Sequence, residues 1–174
     1  MLNGKHAINA TVIEALSTKP QFKLIANLPY HVASPLIANL VIDHPDMSLA
    51  IVMVQKEVAD RLAAPPGGKD YGPLGIMVQA MCHVQRIDRL PPGCFWPPPG
   101  IESAVVRITR RGTPLTDDPK ALSALLQKLF TQRRKQLGTI LGRDRTLPEG
   151  IEPTQRPEQL SVEQLMRLSG WFKE

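Results

Sequence analysis

The feature that most constrains this chain is an abrupt change from strand to helix signals near residues 27–30. Residues 22–26 form a short apolar run that ends at the polar Asn27, which predicts a buried strand. The next residues are Leu28, Pro29 and Tyr30, and Ser34-Pro35 then offers an N-cap followed by a first-turn proline. We therefore predict a strand, a tight polar turn that presents an amide and an aromatic ring, and a helix that begins at Ser34.

The remaining apolar patterns predict an α/β fold. Residues 49–54 are apolar throughout, which predicts a strand covered on both faces, as in a parallel sheet. Strands are also predicted over 84–90 and 104–109, on either side of a proline-rich stretch, which indicates an antiparallel end to the sheet. Helical spacing of apolar residues predicts helices at 7–17 (as a helix or as irregular structure), 55–64 and 74–82.

The chain changes character near residue 112, because no strand-like run follows it. Residues 121–141 carry leucines at helical spacing, and a capping box at Ser161 and Gln164 predicts a final helix. If the helix over 121–141 were continuous, Arg133 would lie on its apolar stripe, where an unpaired arginine is costly. Either the helix breaks near Thr131, or Arg133 faces the rest of the protein or RNA. We predict two domains, a sheet domain over 1–112 and a helical domain over 113–174.

Composition restricts the functional classes. The formal net charge is +5, of which residues 83–112 carry +3 and residues 113–174 carry +2. The positive charge therefore lies in the second half of the chain and favours a polyanionic partner.

Two cysteines, Cys82 and Cys94, are too few for a disulfide framework, and no zinc-site spacing or other metal site is predicted. No apolar run is long enough to cross a membrane, and no signal-peptide pattern begins the sequence.

A second motif strengthens the interpretation of the turn. The stretch from Phe95 to Ser103 carries Pro97, Pro98 and Pro99, which hold an extended loop and present Phe95 at a fixed position. Asn27 supplies an acceptor for an amino group, and Tyr30 and Phe95 are the two walls of a hypothetical pocket for a flipped base. The alternative is a strand-end turn in which Asn27 caps and Tyr30 packs, beside a packed proline loop. Trp96 and Trp171 are interpreted as packing residues.

On these motifs the chain resembles the small-subunit rRNA adenine N6,N6-dimethyltransferases, and more distantly the macrolide-resistance methylases of large-subunit rRNA. Asn27-Leu28-Pro29-Tyr30 matches the family's N-[LI]-P-Y, and the stretch from Phe95 to Ser103 matches its F-x-P-x-P-x-[VI]-x-S. Two further blocks also match, one over residues 69–74 and one over residues 130–135. The four blocks occur in the family's order, and the resemblance spans residues 22–170.

The resemblance implies an α/β fold, namely part of a class I methyltransferase (Rossmann-like) sheet with a small C-terminal helical domain. It implies S-adenosylmethionine as methyl donor, bound beside Asn27, and dimethylation of adjacent adenines in small-subunit rRNA without a metal. Ribosomal subunit precursors would be the partner, in the cytoplasm and away from membranes. The implied catalytic residues are Asn27, Leu28, Pro29, Tyr30 and Phe95. The implied RNA-binding residues are Arg110, Arg111, Arg133, Arg134 and Lys135.

The sequence also departs from the family. The glycine-rich strand-to-helix turn that holds the donor, and the acidic residue for its ribose, are not found, and Lys5 stands nearest to where another acidic residue is expected. We therefore expect an N-terminally truncated chain that begins after the family's third strand. Its first strand would be an exposed edge open to self-association. The alternative function is a catalytically inactive protein that binds rRNA or the ribosome without a methyl-donor site.

Overall fold

The protein is described by a computed structural model that covers residues 2–3 and 7–172. A two-stranded antiparallel pair precedes a mixed four-stranded sheet. The strands are β1 (Leu2–Asn3), β2 (Ala7–Ile8), β3 (Phe22–Asn27), β4 (Met47–Gln55), β5 (Cys82–Leu90) and β6 (Ser103–Arg110). The helices are α1 (Ala10–Ser17), α2 (Tyr30–Asp43), α3 (Lys56–Leu62), α4 (Pro73–Met81), α5 (Pro119–Thr131), α6 (Leu137–Leu141) and α7 (Val162–Phe172).

The order of the four-stranded sheet is β3-β4-β6-β5. Strands β3 and β4 are parallel, with the α2 crossover between them, and β6 runs antiparallel to both of its neighbours. The predicted parallel pair and the predicted antiparallel end are therefore confirmed. Strand β3 lies at an edge of the sheet within the described part of the chain, as expected.

The two faces of the sheet differ in burial. On β4, Ala50, Val52 and Val54 are buried under α2 and α3, whereas the alternate residues are only half-buried. Ile25 on β3 is 75% exposed. The prediction that strand 49–54 is covered on both faces is wrong, because the described helices pack on one face. A continuous apolar run cannot distinguish these cases, since both of its faces carry apolar side chains.

Helix α2 begins earlier than predicted, at Tyr30 with Pro29 as the N-cap residue, so the predicted start at Ser34 is wrong. The Pro29 carbonyl accepts hydrogen bonds from the amides of Val32 (2.9 Å) and Ala33 (3.2 Å), which starts the helix one turn sooner. Pro35 therefore lies inside the helix. Its missing N–H removes one bond near the N-terminus, which the helix tolerates because Leu36, Ile37 and later residues are buried against the sheet.

The C-terminal helices share the core of the sheet. Helix α5 buries four leucines, its N-cap Asp118 accepts from the amide of Ala121 (2.9 Å), and the helix ends at Thr131. The predicted break near Thr131 is confirmed.

The amide of Ser161 donates to Gln164 Oε1 (2.8 Å) and the amide of Gln164 donates to Ser161 Oγ (3.2 Å), so the predicted capping box is confirmed. The described core is continuous across residue 112, and the proposed two-domain division remains a prediction.

Candidate functional site

A cavity of about 370 Å³ opens at the carboxyl end of β3 and β4. We call it the turn cavity. The lining residues are Asn27, Leu28, Pro29, Tyr30, Met53, Phe95, Trp96, Pro97, Pro99 and Ser103. Carboxyl ends of parallel strands are the usual position of ligand sites in α/β sheets, and this volume is typical of a site for a small group. The turn and the proline loop, which are 65 residues apart between Tyr30 and Phe95, therefore meet at one site.

Backbone hydrogen bonds fix the turn. The amide of Leu28 donates to the carbonyl of Met53 (3.1 Å), which continues the β3–β4 pairing one residue beyond β3. The Pro29 carbonyl is occupied by the first turn of α2. Among the described residues, no donor is paired with the Leu28 carbonyl or with the exposed side chain of Asn27. The turn thus leaves one backbone acceptor and one amide beside the cavity, and Leu28 rather than Pro29 holds the free carbonyl.

The two rings are held by different elements. Tyr30 lies in the first turn of α2, and its hydroxyl is 3.3 Å from Ser103 Oγ, which is buried at the start of β6. Phe95 follows a 3-10 turn over Pro92–Cys94, and its amide donates to the Pro92 carbonyl (3.1 Å). The aromatic ring contacts found among the described residues are those of Phe22 with His44 and of Tyr71 with Phe130. Tyr30 and Phe95 therefore line the cavity without stacking on each other. Both rings border the same cavity.

Trp96 was expected to be a packing residue, and that prediction is wrong because its side chain is 95% exposed. It lies at the rim of the turn cavity beside Phe95, which is half-buried. Trp171 does pack against the core, and the guanidinium of Arg145 lies 5.6 Å from its ring centroid.

Arg110 and Arg111, predicted to bind RNA, both donate to backbone carbonyls within the protein. The guanidinium of Arg110 donates to the carbonyls of Val41 (2.9 Å), His44 (2.7 Å), Leu40 (3.3 Å) and Met47 (3.4 Å). It thereby caps the C-terminus of α2, where unpaired carbonyls and the helix dipole favour a cation. Arg111 donates through Nε to the carbonyl of Gln79 (3.0 Å). The structure therefore gives Arg110 a capping role, while RNA contact by Arg110 and Arg111 remains a prediction.

Arg133 also acts within the molecule. Its Nη1 and Nη2 atoms donate to the carbonyls of Lys69 and Gly68 (2.9 Å each), and its Nε donates to Glu158 (3.2 Å). The helix thus breaks before Arg133, and Arg133 also contacts the loop at Lys69, so the two alternatives do not exclude each other. The neighbouring ring of Phe130 packs edge-on against buried Tyr71, with ring centroids 6.4 Å apart. The 69–74 and 130–135 blocks are therefore in direct contact.

Arg134 and Lys135 are exposed just after α5. A second cavity, of about 800 Å³, lies beside them and is also lined by Lys69, Phe130 and Glu158. The described structure thus has two candidate surfaces, the turn cavity and this basic surface between α5 and the loop at Lys69.

Several expectations concern features outside these surfaces. Lys5 lies outside the described residues. The short strand-to-helix junctions at Asn27–Tyr30 and at Gln55–Lys56 contain no glycine, and the longer connection from β6 to α5 contains only Gly112. Within residues 2–3 and 7–172 no group of three His, Cys, Asp or Glu side chains is arranged to hold a metal ion. No helix in the part of the chain that the structure describes is long and apolar enough to span a membrane.

Residues that sequence reasoning missed are Met53 and Ser103, as well as Trp96. Met53 was interpreted only as part of an apolar strand, yet it supplies both a cavity wall and the carbonyl that holds Leu28. Ser103 belongs to the second matched motif, but its bond to Tyr30 depends on a strand pairing that the sequence does not reveal.

Comparisons with known proteins agree with this geometry. The model of the ribosomal RNA adenine dimethylase family matches residues 5–174. The ribosomal RNA small subunit methyltransferase A of Pseudomonas aeruginosa is 39% identical over 160 residues, covering 88% of this chain and 60% of that protein. The protein of the same name from Syntrophotalea carbinolica is 38% identical over 167 residues, covering 89% of this chain and 63% of its own length. The chain thus spans about three fifths of the length of these relatives.

Two solved structures show the same fold. A dimethyladenosine transferase from Plasmodium falciparum superposes with a TM-score of 0.77 at 24% identity, covering 89% of this chain and 68% of that one. The 23S rRNA methyltransferase ErmE superposes with a TM-score of 0.65 at 19% identity, covering 94% of this chain and 77% of that one. The fold is therefore that of the Rossmann-like methyltransferases, as the sequence predicts. With its family model matched over nearly the whole sequence, the chain belongs to the ribosomal RNA adenine dimethylase family.

Proposed function

We propose that this chain carries the base-recognition side of an enzyme that dimethylates N6 of adenine in small-subunit rRNA with S-adenosylmethionine. The observation that carries the proposal is the turn cavity, in which the acceptors at Asn27 and Leu28 meet the rings of Tyr30 and Phe95. The names of the relatives, ribosomal RNA small subunit methyltransferase A, support the substrate class.

The acceptors address the weakness of adenine as a nucleophile. The lone pair of its exocyclic amine is delocalised into the ring, so the nitrogen attacks poorly. Hydrogen bonds from the amine to Asn27 Oδ1 and to the Leu28 carbonyl favour a more tetrahedral nitrogen and hold its lone pair toward the donor. S-adenosylmethionine supplies the electrophilic methyl group. After one transfer a single N–H remains, and one of the two acceptors suffices to orient it for the second transfer.

The rings position the base. A flipped adenine between Tyr30 and Phe95 gains stacking energy of about 1–3 kcal/mol per base, which offsets much of the cost of unstacking it from RNA. The bond from Tyr30 to Ser103 holds one wall in place, and the proline loop holds the other.

The donor would meet the base at Asn27. This residue ends the strand at which ligands of such sheets bind, and its side chain is exposed. The described residues offer no glycine turn for the remainder of the donor, so we assign only Asn27 to it.

RNA backbone contact is proposed for Arg134 and Lys135, which are exposed beside the second cavity. Arg111 is a further candidate. Arg110 and Arg133 support this surface indirectly, because their guanidinium groups hold α2 and the loop at Lys69.

We also propose that the uncovered face and free edge of the sheet, marked by Ile25, associate with a second copy of the chain. An exposed edge strand with an apolar side chain is a template for further strand pairing.

The test combines donor titration with methyl transfer. The chain is titrated with S-adenosylmethionine by calorimetry and then incubated with labelled donor and unmethylated small-subunit rRNA. Micromolar binding and label at N6 of adenine support the proposal. Tyr30→Ala is expected to reduce transfer strongly, whereas Trp171→Phe serves as a control distant in sequence from the turn cavity.

A different result would favour the alternative function. Absence of binding heat and of transfer, together with salt-dependent binding to the same rRNA, would contradict catalysis by this chain and support an inactive rRNA-binding protein.

A further inference from the structure

We propose that Trp96 is an external stacking platform for an unpaired nucleotide adjacent to the base in the turn cavity. The inference rests on the proposed function, since it concerns the same cavity and takes single-stranded RNA as the ligand. It assigns Trp96 a positioning role outside the pocket formed by Tyr30 and Phe95.

The first observation is exposure. Trp96 is 95% exposed, more than Ile25 at 75% or Ile87 at 51%. Tryptophan has the largest apolar side chain and is highly buried on average in folded proteins. An indole left almost wholly in water has no role in the core of this molecule, and both faces of its ring are available for contact with another molecule.

The second observation is position. Trp96 and Phe95 are consecutive and both line the turn cavity, yet Phe95 is half-buried while Trp96 is exposed at the rim. A strand of RNA that places one base between Tyr30 and Phe95 has its neighbouring nucleotide outside the cavity. An exposed indole at the rim is within the reach of that neighbour.

The third observation is rigidity. The segment is preceded by Pro91 and Pro92 and followed by Pro97, and the amides of Cys94 and Phe95 donate to the carbonyls of Pro91 (3.0 Å) and Pro92 (3.1 Å). Prolines fix φ, so little backbone entropy remains to be lost when a ligand stacks on the ring. A preorganised aromatic surface binds more tightly than the same side chain on a flexible loop.

The chemistry of the neighbouring pocket selects a nucleic acid over an apolar protein partner, because the proposed function places an RNA base between Tyr30 and Phe95. An exposed aromatic ring beside such a pocket can stack on the next base of a single strand. Stacking accepts any base, because every base has a π face, so Trp96 would position the strand without reading its sequence.

Fluorescence tests the inference directly. The chain has two tryptophans, so Trp171→Phe leaves Trp96 as the sole indole. That variant is titrated with a short RNA hairpin whose loop contains two adjacent unpaired adenines, and with a fully paired duplex of equal length. Stacking predicts strong quenching of Trp96 emission by the hairpin and little by the duplex.

Affinity provides the second measurement. In the full chain, Trp96→Leu is expected to weaken hairpin binding by about 5- to 150-fold, the range for losing one base–aromatic stack. Trp96→Phe is expected to retain most of the affinity, and Trp171→Phe to leave it unchanged.

The outcomes separate this inference from the proposed function. Methyl transfer with no quenching and with unchanged affinity for Trp96→Leu would overturn the role of Trp96 and leave the enzyme. Quenching and affinity loss without donor binding would support Trp96 and overturn catalysis. Equal quenching by the duplex, or no RNA binding at all, would overturn the inference. Loss of self-association in Trp96→Leu with unchanged RNA affinity would assign the ring to a protein contact instead.

Discussion

The hydroxyl of Tyr30 lies 3.3 Å from the hydroxyl of Ser103, and this contact joins the first turn of α2 to the first residue of β6. The two residues belong to the two motifs that carry the family resemblance. Ser103 is 2% exposed, so its hydroxyl has few partners other than Tyr30. One wall of the turn cavity is therefore oriented by the strand that follows the proline loop.

The first prediction concerns this pair. A neutral hydrogen bond stabilises a protein by about 0.5–1.5 kcal/mol, and a separation near the outer limit of bonding favours the lower end. In a double-mutant cycle of Tyr30→Phe and Ser103→Ala, urea denaturation should give a coupling free energy of about 0.5 kcal/mol. Additive effects of the two substitutions would show that the contact does not form.

The second prediction concerns the crossing of α3 and α4. A Cβ atom added at Gly75 would overlap the carbonyl oxygen of Arg61, which is backbone and cannot rotate away. Gly75→Ala should therefore lower the free energy of unfolding by about 1–3 kcal/mol, despite a helix-propensity gain of about 1 kcal/mol.

The matched control is Gly170→Ala in α7, where an added Cβ meets nothing within 4 Å. This variant should be unchanged or more stable by up to about 1 kcal/mol. Equal effects at the two positions, measured by urea denaturation, would contradict the close approach at Gly75.

The third prediction distinguishes a structural role of Arg110 from a role in RNA binding. Because its guanidinium caps α2, Arg110→Ala should lower the free energy of unfolding by roughly 1.5–3 kcal/mol, the range for bonds to a charged donor. Arg107→Ala, at an exposed position of the same strand, should change it by less than about 0.5 kcal/mol. A loss of RNA affinity without loss of stability in Arg110→Ala would favour direct RNA contact.

The fourth prediction is a pH dependence at Asp60. The hydrogen bond from Lys56 (2.7 Å) and the charges of Lys56, Arg86 and Arg89 hold the pKa of Asp60 below its ordinary value of 3.8, against the opposing effect of burial. A pKa lowered by folding means that the ionised carboxylate stabilises the native state above the unfolded pKa. That stabilisation should be lost as the pH falls below about 4 and through the folded value.

The measurement is the difference in unfolding free energy between the unmodified chain and Asp60→Asn from pH 3 to pH 7. The difference should be largest near neutral pH and shrink toward acid. Asp144→Asn, in an exposed loop, is the control, and a difference for Asp60→Asn that does not vary with pH would contradict the ion pairs.

The fifth prediction tests self-association. If the open sheet edge pairs with a second copy, the melting temperature should rise with protein concentration, and Ile25→Lys should abolish that dependence. Ile13→Lys on α1 is the control, since Ile13 lies outside the sheet. A monomer at all concentrations, by analytical ultracentrifugation, would refute the association.

Sequence reasoning succeeded where periodicity and local chemistry agree. The strand at 22–27 and the capping box at Ser161 follow from residues that lie close together in the chain. The meeting of Tyr30 with Phe95 was inferred from the chemistry of two separate motifs, and the cavity brings them together.

Sequence reasoning failed where a local pattern predicts one structure and contacts formed only in the folded protein produce another. Ser34-Pro35 resembles a helix start, but the Pro29 carbonyl begins the helix first. The sequence also does not reveal that Arg110 and Arg133 donate to backbone carbonyls, which only the folded chain brings within reach, and RNA binding by these two residues stays a prediction. The exposure of Trp96 also depends on three-dimensional packing, because an indole in sequence predicts burial.

Position 133 illustrates what the fold requires of one side chain. Its guanidinium bonds two consecutive loop carbonyls and a carboxylate at once, and only a planar fork with several donors matches that arrangement. A lysine at position 133 would preserve the positive charge but would lack the planar set of donors that makes these contacts. Arg133→Lys should therefore release the loop at Lys69 from the end of α5, although the net charge of the chain stays the same.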